Sequence, residues 1–336
     1  MSLDPDLLAA VSAAIAHRAG LLAALHAEET SCYRLFHGVA EGAPGVTIDR
    51  YGPGLLVQTF REPPMTRTAV EGLAAAVNRQ LGLELALTWN HRGEGRAGFD
   101  THFPQAAPAA AVWGQELGLW MDVRLRHRGL DPLLFVDLRV GRRWLKAHAK
   151  GASVLNLFAY TGSAGLMAQA GGAKEVWNVD FARGALQTGL DNEARNGLSG
   201  QTFLQEDALA ILRQVAGLRV GGRGPQAKRF HRVPARSFDI VVLDPPTWAT
   251  SPFGAVDIVG DYPSLFKPAV LATRPGGVIL ATHHSAATPW ATWASTLERC
   301  AAKAGRPLRA IERLLPEGDV PSFDGDPPLK IAVCRA

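Results

Sequence analysis

The apolar positions of this chain change rhythm as the sequence proceeds. Over the first thirty residues they recur at helical spacing (Leu7, Leu8, Val11, Ile15, then Leu21, Leu22, Leu25), which predicts two short helices broken near Gly20. From Tyr33 onward the apolar runs shorten, and glycines and prolines separate them. Val46-Thr47-Ile48 and Leu55-Leu56-Val57-Gln58 read as strands joined by the turn Asp49–Gly54. Thr66–Leu81 reads as an amphipathic helix, Leu83–Trp89 as another strand, and His91–Gly98 as a glycine-rich loop. Gln115–Val123 and Leu133–Leu138 are expected to pair as a hairpin. After Gly151 strands and helices alternate. The strands are Val154–Ala159, Glu175–Asp180, Thr202–Glu206, Phe238–Leu243 and Gly277–Thr282. Helices are expected to begin near Ser163, Ala182, Asp207 and Tyr262, with another over Thr288–Lys303, and Arg309–Leu315 and Leu329–Val333 complete the set. Such alternation sets successive strands parallel, with helices on both faces of the sheet. The expected fold class is therefore α/β: a doubly wound sheet over 131–336, a smaller N-terminal α+β domain over 31–130, and a helical segment over 1–30.

Composition agrees with a soluble globular protein: 336 residues, 47% hydrophobic and 20% charged, enough for two domains and a sizeable core. The N-terminus carries Asp4 and Asp6 and lacks the basic start of a signal peptide. No apolar run approaches the roughly 20 residues that span a bilayer. A cytoplasmic protein without a membrane partner is expected. Cys32, Cys300 and Cys334 lie far apart with no metal-type spacing, which fits a reducing compartment and predicts neither a disulfide framework nor a metal site.

The net charge of +4 is modest but uneven. Arg219, Arg223, Lys228, Arg229, Arg232 and Arg236, with His231, fall in one stretch that contains no acid. Its glycines and prolines predict a mobile loop. The loop is either a solvated basic surface or an arm that contacts nucleic-acid phosphates.

The chemistry gathers at the strand ends, where open α/β sheets hold their ligands. The first strand runs into Ala159-Tyr160-Thr161-Gly162-Ser163, a small-residue turn opening a helix whose free N–H groups suit a carboxylate. A single glycine in the tight turn is too few for a dinucleotide cradle. Asp180 ends the second strand, positioned like an acid that accepts from ribose hydroxyls. Asp207 follows the third, where it suits an exocyclic amine of adenine. Each acid alone is as readily a helix cap; together they outline a nucleoside pocket. The fourth strand ends in Asp244-Pro245-Pro246-Thr247, a rigid lip with carbonyls free to accept hydrogen bonds.

Asn156-Leu157-Phe158-Ala159-Tyr160-Thr161-Gly162-Ser163, then Asp180, Asp207 and Asp244-Pro245-Pro246-Thr247 resemble the class I S-adenosylmethionine-dependent methyltransferases, and so imply a Rossmann-like methyltransferase sheet. More narrowly, the chain resembles bacterial enzymes that modify 23S ribosomal RNA at cytosine C5 or guanine N7. Phe135-Val136-Asp137-Leu138-Arg139 is similar to a segment preceding the fold in that group. Tyr33-Arg34-Leu35 and Gly42-Ala43-Pro44-Gly45-Val46-Thr47-Ile48-Asp49-Arg50-Tyr51-Gly52 are similar to its central domain. The resemblance implies S-adenosyl-L-methionine as cofactor. Phe158, Tyr160, Thr161, Gly162 and Ser163 would border its methionine part, Asp180 and Phe181 its ribose, and Asp207 and Ala208 its adenine, with Arg139 closing the pocket. Asp244, Pro245 and Pro246 would face the transferred methyl group and the target base.

Two departures qualify the resemblance. The cytosine-C5 enzymes need a thiolate that adds to the ring, whereas this chain has His284 at or near the expected cysteine. That disfavours C5 chemistry and leaves a nitrogen acceptor, with His284 bonding a base edge or taking a proton. Trp248 offers a face for a splayed-out base. Secondly, an Ala/Leu-rich helical segment stands where the group often has an RNA-binding domain. The expected partner is RNA, ribosomal above all, bound through the basic loop Arg219–Arg236, and a homodimer is left open. A small molecule or protein as acceptor, or a catalytically silent RNA-binding relative, remain alternatives.

Overall fold

The computed structural model describes residues 4–93, 110–127, 129, 131–225 and 229–336. Residues 94–98 of the expected glycine-rich loop, and Lys228, lie outside them. The chain divides into two compact units: Met1–Asp137 with Pro316–Phe323, and Leu138–Leu315 with Asp324–Ala336.

In the first unit, α1 (Pro5–His17) starts where the Asp4 carboxylate caps the Asp6 N–H and proline occupies the first turn. The helix ends at Arg18 and α2 (Ala19–Ala27) follows, so the break precedes Gly20, which lies inside α2. Arg18 forms the corner because its N–H closes on the Ala14 and Ile15 carbonyls while its guanidinium pairs with Glu41. Four strands follow: β1 (Cys32–Phe36), β2 (Val46–Tyr51), β3 (Gly54–Thr59) and β4 (Ala86–His91). The first three are antiparallel, and β3 pairs parallel with β4. The crossover between them is α3 (Arg67–Leu81), capped by the Thr66 hydroxyl at one end and by left-handed Gly82 at the other. Val11, Ile15 and Leu25 share a core with Tyr33, Ile48, Val57, Leu73 and Trp89, so the N-terminal helices pack on this sheet.

The expected hairpin takes a different form. β5 (Trp113–Glu116) and β6 (Leu119–Asp122) pair with each other, because Leu117 and Gly118 both adopt positive φ (53° and 79°) and make a two-residue turn inside the stretch. Leu133–Leu138 supplies no strand, and Val136–Leu138 winds into a 3-10 turn.

The second unit opens with α4 (Arg139–His148), a helix the hydrophobic pattern does not announce. Then come β7 (Ser153–Leu157), α5 (Ser163–Ala170), β8 (Glu175–Asp180), α6 (Arg183–Arg195), β9 (Thr202–Gln205), α7 (Ala208–Val215) and β10 (Phe238–Leu243). A two-stranded hairpin, β11 (Trp248–Ser251) and β12 (Gly254–Asp257), leads to α8 (Pro263–Ala272), β13 (Thr273–His283), α9 (Trp290–Lys303), β14 (Ala310–Leu314) and β15 (Lys330–Arg335). The sheet order is β14-β15-β13-β10-β7-β8-β9, parallel except for β14–β15 and β15–β13. Alternate residues feed two cores: Leu155, Val241 and Ile279 pack on one face, and Val154, Ile240 and Leu280 on the other. This is a doubly wound sheet. Strand order turns back between β7 and β10, the crevice where such sheets bind ligands at the carboxyl ends of their strands. Among the described residues no single helix is long and apolar enough to cross a membrane.

Candidate active site

β7, β8 and β10 end nearly level, since Leu157 lies opposite both Leu243 and Val179. The chain leaves β7 through Phe158 and Tyr160, both in the left-handed region (φ 57° and 50°), and Gly162 (φ 70°). Non-glycine residues hold that conformation only where their surroundings enforce it, commonly at functional sites. Asp180 anchors the second of them. Its Oδ2 accepts the Tyr160 N–H at 2.8 Å and its Oδ1 the Ala182 N–H at 2.8 Å, tying the ends of β7 and β8 together. Burial pushes the Asp180 carboxyl above its ordinary pKa, against the opposing pull of the Ala182, Tyr160 and Phe181 N–H groups. Beside it Phe181 is 70% exposed, a large aromatic face with little protein on it.

No side chain caps α5, so its first-turn N–H groups remain for water or a ligand carboxylate. The helix lies hard against β8: a Cβ on Gly165 would sit 2.1 Å from Asn178 Oδ1. Asn178 belongs to a chain of amides beneath the turn, accepting from Asn156 at 2.8 Å and donating to Gln201 at 2.7 Å. One strand further, Asp207 caps α7 through Oδ1, which accepts from Leu209 and Ala210, while buried Ala208 starts the helix. Its Oδ2 makes no hydrogen bond among the described residues.

The proline lip carries a second cluster. Asp244 Oδ1 accepts from the Thr282 hydroxyl and lies 2.8 Å from His284 Nε2, and Thr282 Oγ1 is 3.3 Å from the same nitrogen. Thr282 and His284, two residues apart at the end of β13, reach the same carboxylate on neighbouring β10. The Tyr262 hydroxyl donates to the Thr282 carbonyl at 2.8 Å and fixes the strand end. Burial would raise the Asp244 pKa, but the hydrogen bond and charge of His284, the Thr282 hydroxyl and the nearby Arg142 guanidinium outweigh it. The carboxyl is held below its ordinary value and stays ionised. Pro245 is buried, while Pro246, Thr247 and Trp248 are exposed, Trp248 by 62%.

The two adjacent histidines part company. His283 turns inward to the Ile258 carbonyl at 2.9 Å, and burial lowers its pKa. Arg139 is wholly buried at the head of α4, and Arg142 is buried one turn later on the same helical face. Sequence reasoning reaches Asp180, Asp207, Asp244 and His284 but misses Thr282 and Arg142. The available signals were the i−2 spacing from His284 and the i+3 spacing from Arg139. All three cysteines are buried, and burial pushes the Cys300 and Cys334 thiols up.

The basic stretch is not a loose loop where it is described. The His231 N–H donates to Glu206 at 2.5 Å, Gln214 bonds the His231 carbonyl and the Val233 N–H, and the Arg236 N–H donates to the Val215 carbonyl. Arg236 is committed to Glu175 through both terminal nitrogens and stacks over Trp177 and Phe238, so it is withdrawn from any phosphate role. Arg219, Arg223, Arg229, His231 and Arg232 are exposed.

A doubly wound sheet with acids at successive strand ends and a proline-stiffened rim is the arrangement that suits a nucleoside-dependent transferase. Residues 33–335 match the family described as S-adenosylmethionine-dependent methyltransferase, and the chain belongs to that family, with S-adenosylmethionine as its methyl donor. Among curated proteins it is 30% identical, over 86% of its length and 70% of the relative's, to ribosomal RNA large subunit methyltransferase I of Shewanella denitrificans. It is 29% identical, over 90% and 74%, to the protein of that name from Shewanella amazonensis. Among solved structures, SMU.776, a methyltransferase complexed with SAH, aligns with a TM-score of 0.80 at 22% identity, covering 100% of this chain and 83% of that one. An Agrobacterium tumefaciens SAM-dependent methyltransferase aligns with a TM-score of 0.62 at 19% identity, covering 91% and 90%. At these identities the structures speak for the fold.

Proposed function

We propose that this enzyme methylates a nitrogen of an RNA base, ribosomal RNA above all, in the cytoplasm. The observation that carries the nitrogen is the Asp244–Thr282–His284 cluster beside a lip with no thiol, every cysteine being buried elsewhere. Methylation at a ring carbon such as cytosine C5 would require a thiolate to activate the base; a nitrogen needs only desolvation and alignment. The names of the curated relatives support ribosomal RNA as the acceptor.

The residues fit the cofactor. Asp180, held by two backbone N–H groups, would accept the ribose hydroxyls, and the exposed ring of Phe181 would pack beside them. The Oδ2 of Asp207, next to Ala208, would accept the adenine amine. Phe158, Tyr160, Thr161, Gly162 and Ser163 would border the methionine part, with the uncapped start of α5 suited to its carboxylate. Arg139 braces the pocket from α4. When bound, S-adenosylmethionine supplies an electrophilic methyl sulfonium. Asp244 Oδ2 and the Pro245 carbonyl hold the hydrogens of the acceptor nitrogen, Pro246 stiffens the rim, and Trp248 stacks on the extruded base. His284, oriented by Asp244, takes the proton the nitrogen releases.

Mass spectrometry of ribosomal RNA nucleosides from a deletion strain tests this: one methylated nucleoside should disappear and return on complementation. An unchanged profile, with transfer to a protein or small molecule in extracts, would favour the other acceptors. Calorimetry showing no binding of S-adenosylmethionine would favour a silent RNA-binding relative.

A further inference from the structure

We infer that the basic stretch and the β11–β12 hairpin form one single-strand RNA track leading to the lip, an inference that rests on the RNA reading above. The two segments are distant in function only if each is taken alone. The Arg223 N–H of the stretch donates to the Pro252 carbonyl at 2.8 Å at the hairpin's turn, where Arg213 Nη1 from α7 also donates to the Phe253 carbonyl at 3.3 Å. The Phe230 ring meets Phe253 edge-to-face, with centroids 5.5 Å apart and planes at 89°. Phe253 is buried in the core and Phe230 packs against it, so this pair pins the stretch to the hairpin. One residue on, the His231 N–H anchors the stretch to Glu206, which precedes Asp207.

Exposed cations on the described parts of the stretch are thus tied to the hairpin that carries Trp248. Arg219, Arg223, Arg229, His231 and Arg232 are exposed, and the hairpin begins with exposed Trp248 directly after Thr247 of the lip. The nearest acid on the hairpin, Asp257 opposite Trp248, has its Oδ1 occupied by the Val259 and Gly260 N–H groups. Cations tracking a backbone, combined with an aromatic ring for a base, suit a single strand. Duplex RNA hides its base edges in a deep, narrow groove, and its paired bases would first have to be extruded. The acceptor is therefore an unpaired segment or loop.

The test is fluorescence anisotropy with a short fluorescein-labelled RNA of mixed sequence, free and annealed to its complement, across a salt series. The single strand should bind more tightly than the duplex. Changing Arg223, Arg229 and Arg232 together to alanine should reduce the salt slope by about 2, at about 0.7 per phosphate contact. Trp248→Ala should weaken binding roughly tenfold. Phe230→Ala is the decisive variant: it removes no charge, yet should weaken single-strand binding severalfold by freeing the stretch, with S-adenosylmethionine affinity by calorimetry showing that the fold is intact. Equal affinity for duplex and single strand, or Phe230→Ala binding like the parent, would overturn the inference. Failure of the methyltransferase reading looks different, as RNA binding without methyl transfer to ribosomal RNA.

Discussion

At the scale of single residues, Asp180 does two jobs that a variant series separates. It orders the β7 turn through the Tyr160 N–H and, in the reading above, grips the ribose. Asp180→Ala should weaken S-adenosylmethionine binding by a few kcal/mol, about a hundredfold, as expected for losing charge-assisted hydrogen bonds. Asp180→Asn, which keeps one acceptor oxygen, should lose less; calorimetry reads both, and unchanged affinity would remove the ribose role. Asp244→Ala should lower the transfer rate by about 10² or more while leaving cofactor affinity nearly unaltered; single-turnover kinetics with full activity would sever Asp244 from the acceptor. These acids were legible because they fall where periodic apolar strands stop. Thr282 was not, since a hydroxyl at a strand end has no signature until β10 and β13 are known to be neighbours. Arg142 was hidden for a different reason. In α4 the buried face carries Arg139 and Arg142 as well as Trp144 and Leu145, so cations occupy positions that pattern reading assigns to solvent.

Among elements, the regular alternation after β7 was readable because each strand there is a short apolar run bounded by helix starts. The β11–β12 hairpin escaped because Trp248-Ala249-Thr250-Ser251 alternates weakly and is half exposed. The contact of α5 with β8 gives this scale its prediction. Gly165 has no room for a methyl group, because Asn178 is fixed between Asn156 and Gln201. Gly165→Ala should cost roughly 1–3 kcal/mol through overpacking and should also loosen cofactor binding by shifting the helix start. Gly184→Ala in α6, where a Cβ meets nothing within 4 Å, should be neutral or stabilise by up to about 1 kcal/mol. Denaturant midpoints compare the two; equal effects would contradict the packing described for α5.

For the whole molecule, the segment least legible in sequence is Pro316–Phe323, which belongs with the first unit although the second surrounds it in the chain. There, buried Asp319 accepts the Arg34 N–H at 3.0 Å, next to the Arg34–Asp49 ion pair, whose guanidinium also bonds His37. Burial and the Arg34 and Arg18 charges lower the His37 pKa to about 4, below its ordinary 6.5. The unfolded chain therefore takes up the proton first as pH falls. Stability contributed by neutral His37 is full above 6.5 and lost progressively towards 4. Asp49 and Asp180, raised by burial, act in the opposite sense, so the clean comparison is with His37→Asn, which keeps an acceptor for Arg34 but does not titrate. Urea midpoints at pH 7 and pH 5 should converge for that variant; an identical pH response in parent and variant would discount the histidine. The concealment of all three thiols has a practical consequence. The folded protein should ignore maleimides, so a reporter attached at an introduced Trp248→Cys would sit on a silent background, and any further alkylation would clock the opening of the core.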